Sequence, residues 1–189
     1  MDNVLTIATL TAGLRLSIPV AVAALGALIS ERAGVLNLGL EGMMLIGAFA
    51  GYSTAEVSGS PWLGLVGGIL AGGATGLLLA LLVVGGRANQ IVTGISFTLL
   101  AGFATALLFQ QSYSIGQIPP RIERIDLPAL VAVTAGVFAA VVWVLRRTTA
   151  GLALSAIGEA PEAADALGYE VGRVRSVATG VSGALAGLG

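Results

Sequence analysis

The 189-residue chain contains no cysteine, no histidine and no lysine, and only 10% of it is charged. Without cysteine there is neither a disulfide nor a thiolate metal site. Without histidine the commonest general base and metal ligand is missing, and no nucleophile–base or metal constellation for an intramembrane enzyme stands out. A phosphate-binding Gly-x-x-x-x-Gly-Lys-[Ser/Thr] run does not occur, so ATP hydrolysis, where it is needed, belongs to another chain. Nine arginines against ten acids leave a net charge of −1, which does not suit a nucleic-acid partner. Soluble domains are about one quarter charged. This chain is far poorer, with 56% apolar residues and 28 glycines, a balance that describes helices whose outer surface faces lipid.

A membrane-crossing helix needs about 20 mostly apolar residues. Five stretches qualify, at 7–29, 35–57, 62–84, 90–109 and 127–145, and a sixth begins near 177 and reaches 189. As a helix that last stretch would rise only about 20 Å, against a hydrocarbon core about 30 Å thick. The expected fold is an all-α membrane protein: a polytopic transmembrane helix bundle of five full spans and a truncated sixth. Residues 1–189 are read as a single transmembrane domain, an N-terminal fragment cut within a span. Met1, Asp2 and Asn3 form no basic leader, and the first apolar stretch is too long for a signal peptide, so it reads as a retained helix.

Arginines in short connections set the expected orientation. Arg32, Arg87, Arg146, Arg147, Arg173 and Arg175 fall on one side, which is therefore cytoplasmic. The N-terminus, the 57–61 turn and the 112–126 loop fall on the other, although that loop carries Arg121 and Arg124. Trp62 and Trp143 lie near span ends, where aromatic belts belong. Gly64, Gly68, Gly72 and Gly76 recur every fourth residue and make a smooth stripe for close helix packing; Gly183 and Gly187 repeat the spacing.

Polar groups inside spans are costly and face protein or water. Glu41 is one, and Asn37 lies one helical turn before it, with Gly39 and Gly42 weakening the helix between them. The pair reads equally as a polar gate on a pathway and as a means of satisfying backbone at a broken helix. Arg15 either pairs with Glu41 or snorkels to an interface. Asn89, Gln90, Thr93 and Ser96 open the fourth span; Asn89 reads as a helix cap, whereas Thr93 and Ser96, three residues apart, serve either a pathway or polar contact between helices. Glu41 and Arg15 also motivate the alternative of an ion- or proton-coupled secondary transporter or channel.

The polar block at 146–176 has a short helix at its centre. Pro161 suits a first helical turn, Glu162 and Asp165 suit the positive end of the dipole, and Gly168 suits the stop. A helix this short is not stable alone and must dock on something.

Three segments carry a resemblance. The first is Glu31-Arg32-Ala33-Gly34-Val35-Leu36-Asn37-Leu38-Gly39-Leu40-Glu41-Gly42-Met43-Met44. The second runs from Thr149-Ala150-Gly151-Leu152 through Gly158-Glu159-Ala160-Pro161-Glu162-Ala163-Ala164 to Leu167-Gly168, and the third is Ser182-Gly183-Ala184-Leu185-Ala186-Gly187-Leu188-Gly189. Together they resemble the permease subunits of ABC importers in the branched-chain amino acid, simple sugar and nucleoside branch, and are most similar to the nucleoside and simple-sugar permeases. The resemblance covers nearly the whole chain, and relatives continue through further spans. It implies a multi-pass protein of the cell membrane, embedded in the lipid bilayer, whose 146–176 loop is a cytoplasmic coupling loop. Gly158, Glu159, Pro161, Glu162, Ala163, Ala164 and Gly168 would meet the ATPase, while Asn37, Glu41, Asn89, Gln90, Thr93 and Ser96 are the candidates for the pathway. Cytosolic ATP-binding cassette subunits, a second permease subunit and an extracytoplasmic solute-binding protein are the implied partners. The chain itself would need no cofactor and would not be an enzyme. Ser155 stands where the resemblance implies an arginine, which removes one polar contact to the ATPase.

Overall fold

A computed structural model describes residues 7–113 and 120–189. The outward assignments for the N-terminal residues 1–6 and for 114–119 of the 112–126 loop lie outside the described residues. Every regular element among those described is helical. In chain order these are α1 (Ile7–Arg32), α2 (Leu40–Ser58), α3 (Pro61–Ala80), α4 (Gln90–Ser112), α5 (Leu127–Arg147), α6 (Thr149–Glu159), α7 (Pro161–Ala166) and α8 (Val171–Leu188). A wide π-turn at Leu81–Gly85 prolongs α3.

Four segments are long and apolar enough to cross a bilayer: Thr9–Arg32, Pro61–Gly85, Gln90–Ser112 and Leu127–Arg147. The other two expected spans are less apolar. α2 has the length, 19 residues, but carries Glu41 and Glu56 among several glycines and hydroxyl residues. α8 starts at Val171, six residues before the apolar run at 177, and so takes Arg173 and Arg175 into its first turns. Their charges look like loop residues in the sequence. In the fold Arg173 stays exposed and pairs with Glu170 at 2.9 Å, while Arg175 turns inward.

α8 is the central helix. Ala178, Thr179, Gly180, Ser182, Gly183 and Ala186 are all buried, packed among α1, α2 and α3. The α3 stripe explains how α8 fits. A Cβ added to Gly72 would lie 2.2 Å from the carbonyl oxygen of Gly183, and one added to Gly187 would lie 2.1 Å from that of Gly68. Backbone meets backbone with no room for a methyl, which is the small-residue packing that membrane helices use in place of a hydrophobic drive. Gly64 turns instead to Gly51 and Ala55 on α2. Leucines and aromatics such as Leu70, Leu100, Phe103 and Phe138 point away from the bundle, as lipid-facing side chains do, and Trp62 and Trp143 are exposed near helix ends.

Six of the arginines, in a connection or in the helix turns beside one, gather at one end. Gly158 abuts Arg32, Arg175 reaches Ala33, and Gln90 reaches Leu36.

Candidate functional site at the arginine-rich end

The connection between α5 and α8 folds as two helices rather than one. Thr148 makes the first corner: its hydroxyl accepts from the Gly151 N–H at 3.3 Å and donates to the Val144 carbonyl at 2.6 Å. Gly151 sits so close to the end of α5 that a Cβ would lie 2.4 Å from the Leu145 carbonyl oxygen. Ile157 anchors α6 with 0% exposure.

α7 follows after Ala160, with Pro161 in its first turn, where a missing N–H costs nothing. Its end is a Schellman motif. The Tyr169 N–H donates to the Ala164 carbonyl at 3.1 Å and the Gly168 N–H to the Asp165 carbonyl at 2.9 Å. That motif requires a left-handed residue, and Gly168 supplies it at φ 89°. Ala164, 2% exposed, is the buried peg of the helix. Glu159, Glu162, Ala163, Asp165 and Ala166 face outward, and Leu167 is 78% exposed beside them. The product is a small knob with one inward methyl and an outer surface of short and acidic side chains.

The loop rests on the end of α1. Gly158 packs against the last turn so tightly that a Cβ would sit 2.3 Å from the Arg32 carbonyl oxygen. Beside it the Arg175 Nε donates to the Ala33 carbonyl at 3.0 Å. α1 ends as α7 does. Val35 N–H donates to the Ser30 carbonyl at 3.0 Å and Gly34 N–H to the Glu31 carbonyl at 2.9 Å, with Gly34 left-handed at φ 78°.

From there the backbone is irregular until Leu40, and it turns back into the bundle. Ser182, which meets Asn37, also lies against Gly26, seven residues up α1 from Ala33. At about 1.5 Å per residue the chain therefore re-enters by ~10 Å before α2 starts. This is why α2 begins at Leu40 rather than at 35, where the apolar run begins. Non-helical backbone at such depth must be satisfied by protein, and side chains from several helices do so. Gln90 Oε1 accepts from the Leu36 N–H at 2.8 Å, and the Thr98 hydroxyl donates to the Leu38 carbonyl at 3.2 Å. Asn37 Nδ2 donates to Ser182 Oγ at 2.9 Å and to Met43 Sδ at 3.6 Å, while its Oδ1 accepts from the Gly39 N–H at 3.2 Å.

The pathway candidates thus divide. Asn37 is 8% exposed, precedes α2 and is fully engaged. Glu41 lies on the exposed side of the first turn of α2, so the two do not share a face: the helix that would align them has not yet begun at Asn37. Arg15 is exposed on α1 beyond Pro19, which meets Gly189, and lies on the order of 15 Å along the bundle from Glu41, too far to pair. Asn89 caps α4 by accepting from the N–H groups of Ile91 and Val92. Thr93 is half-buried and Ser96 exposed on α4. Ser182, Thr98 and Arg175 were not singled out in the sequence as partners of the broken segment. The signal available was a polar residue inside each apolar helix, and for Arg175 the inward turn has no sequence mark. Among the described residues no group of three or more ligating side chains is placed to hold a metal.

A bundle of lipid-facing helices, joined at one end by a docked, outward-facing helical loop, has the form of a multi-pass membrane protein. Over residues 9–189 the chain matches the family described as branched-chain amino acid transport system / permease component, and it belongs to that family. It is 38% identical over 189 residues to a putative glucose ABC transporter permease protein of Haloferax volcanii, an alignment covering 87% of this chain and 56% of that protein. It is 32% identical over 197 residues to the guanosine ABC transporter permease protein of Bacillus subtilis, covering 90% and 62%. It is 36% identical over 201 residues to a nucleoside ABC transporter permease protein of Lactococcus lactis, covering 92% and 62%. The chain thus spans about three fifths of the length of these relatives. No solved structure matches it. Family and helices together make it a multi-pass protein of the plasma membrane.

Proposed function

We propose that the chain forms part of the permease subunit of an ATP-driven importer for nucleosides or simple sugars. In this reading α2 and α8 cross the membrane with the four longer segments. A second permease subunit completes the pathway, a solute-binding protein delivers the substrate from outside, and cytosolic ATP-binding subunits hydrolyse ATP. The chain binds no cofactor of its own. The names of the relatives support the substrate class.

One observation supports the coupling role above all: the α6–α7 loop is seated, through Gly158, on the Arg32–Gly34 end of α1, where the re-entrant segment begins. Glu159 and the outward residues of α7, with Gly158, Pro161, Ala164 and Gly168 holding their shape, would dock in the ATPase. Movement of the docked knob would pass to the end of α1 through contact between backbones. The 33–39 segment holds its place by side-chain bonds rather than a helical ladder, so it can absorb a change of angle as a hinge does. Asn37, Glu41, Asn89, Gln90, Thr93 and Ser96 remain the proposed polar residues along or beside the pathway.

The test is co-purification of the full-length permease with its ATPase. Glu162→Arg reverses an exposed charge. Ala163→Trp places a bulky group on the outward face of α7, so it obstructs a partner rather than the fold. Together they should abolish the association. Full retention would refute the docking role, and uptake driven by a proton gradient without ATP would select a secondary transporter instead.

A further inference from the structure

At the end of the bundle away from the coupling loop, three side chains form a cluster that the proposed transport role does not use. Glu56 lies in the last turn of α2, where the negative end of the helix dipole disfavours a carboxylate. It is half-buried and accepts a hydrogen bond from the Tyr113 hydroxyl. The Tyr52 hydroxyl donates to the Pro120 carbonyl at 2.9 Å. The two tyrosine rings meet edge to face, with centroids 5.9 Å apart, and Phe109 stacks at a tilt on Tyr113 at 4.9 Å.

Below the cluster, between α2 and α4, runs a cavity of about 450 Å³ lined by Leu45, Phe49, Tyr52, Thr105 and Phe109 among others. Tyr52 and Phe109 belong to both cavity and cluster, so the two are continuous. The volume lies within the ordinary range for small-molecule sites, which are apolar with a few convergent polar groups.

We infer that the Tyr52–Glu56–Tyr113 cluster and the cavity beneath it form an outer binding site for an uncharged, hydroxylated ring, the sugar part of the transported solute. The inference rests on the reading of the chain as a nucleoside or sugar permease. A sugar ring has an apolar C–H face, which Phe49, Tyr52 and Phe109 can cover, and a rim of hydroxyl donors. A carboxylate offers about four acceptor positions and Tyr113 fills one, leaving room for a pair of ring hydroxyls. Hydrogen bonds to an ionised acceptor are stronger than neutral ones. The same negative charge repels a phosphate, so the site accepts the free nucleoside or sugar and turns away its phosphorylated form.

The experiment uses the full-length permease assembled with its ATP-binding subunits and binding protein in proteoliposomes, with tritiated guanosine and tritiated glucose as probes. Glu56→Gln keeps the shape and removes the charge. It should raise the KM of the transported probe about tenfold while the maximal rate falls less than threefold. It should also make guanosine 5′-phosphate or glucose 6-phosphate a better competitor by a similar factor. Phe49→Ala should raise KM without changing phosphate competition, and Glu123→Gln, on the exposed 120–126 segment, should change neither. Unaltered KM and unaltered phosphate discrimination in Glu56→Gln would overturn the site. If Glu56→Gln does not assemble, Phe49→Ala and Tyr113→Phe carry the same reading, and unaltered KM in both would overturn it. A wild-type transporter that moves neither probe with ATP would instead overturn the permease reading itself.

Discussion

Replacing Gly158 by alanine tests whether the coupling loop acts on α1 by direct contact. The added methyl would lie 2.3 Å from the Arg32 carbonyl oxygen, 3.1 Å from its carbon and 3.4 Å from the Gly34 nitrogen. All three are backbone atoms, which cannot swing aside as a side chain can. Restoring ordinary contact requires α6 to withdraw by roughly 1 Å, and a gap of that size forfeits a quarter to a half of the dispersion well of the atoms that part. Ile157, next to the glycine, is fully buried and would be drawn away from its neighbours. Overpacking of this kind costs about 1–3 kcal/mol, and 1.4 kcal/mol is about a factor of ten in an equilibrium. Solute uptake per ATP hydrolysed, measured in proteoliposomes, should therefore fall about tenfold while the ATPase still co-purifies. Gly136→Ala is the control: nothing lies within 4 Å of its added Cβ. Wild-type coupling in Gly158→Ala, with the ATPase bound, would refute the argument that this contact transmits the motion.

Further consequences concern the bundle and its end away from the α6–α7 loop. Gly183→Ala places a methyl 2.2 Å from the Gly72 carbonyl oxygen and should lower the thermal midpoint of the detergent-purified protein, by an amount corresponding to about 1–3 kcal/mol of overpacking. Asn37→Ala and Ser182→Ala should each destabilise, and a double-mutant cycle by denaturant unfolding should give a coupling of about 1 kcal/mol, the scale of interhelical hydrogen bonds in membranes; a coupling near zero would show that the bond contributes nothing. The Tyr113 hydroxyl has its pKa raised above the ordinary 10.0, first by its hydrogen bond to Glu56, because only the neutral phenol can donate and the phenolate is repelled. A raised value means that this contact supports the fold below pH 10 and is lost as pH rises through the folded pKa. Glu56→Gln should bring the ionisation back toward 10.0, read as ultraviolet phenolate absorbance of Tyr113 with Tyr52, Tyr169 and any tyrosine outside residues 1–189 replaced by phenylalanine.

Much of the bundle was legible because glycine and leucine runs report lipid exposure and close packing directly. Gly64, Gly68, Gly72 and Gly76 announce a smooth face, and all four are buried. Pro161 and Gly168 mark the ends of α7 because each solves a local backbone problem without help from elsewhere. What was not legible depends on partners distant in sequence. The central place of α8 follows from its fit to α3, and its early start from Arg175 finding the Ala33 carbonyl 142 residues away. The re-entrant segment reads as part of a span because Val35, Leu36 and Leu38 are apolar. Only the bonds from Gln90, Thr98 and Ser182 show that its backbone is not helical. Glu41 looked buried because its neighbours are apolar, yet helix α2 begins one residue before it and turns it outward. The Glu56–Tyr113 pair spans 57 residues and leaves no local pattern at all.

Residues 1–189 contain no cysteine, so once any cysteine elsewhere in the full-length protein is replaced, a single Ala163→Cys on the exposed face of α7 reports without background. In cells expressing the full-length transporter, a cytosolic thiol crosslinker should join position 163 to the ATP-binding subunit, in a yield that changes when ATP is trapped. Labelling of that cysteine by a membrane-impermeant reagent from outside, or the absence of any ATPase adduct, would contradict the account.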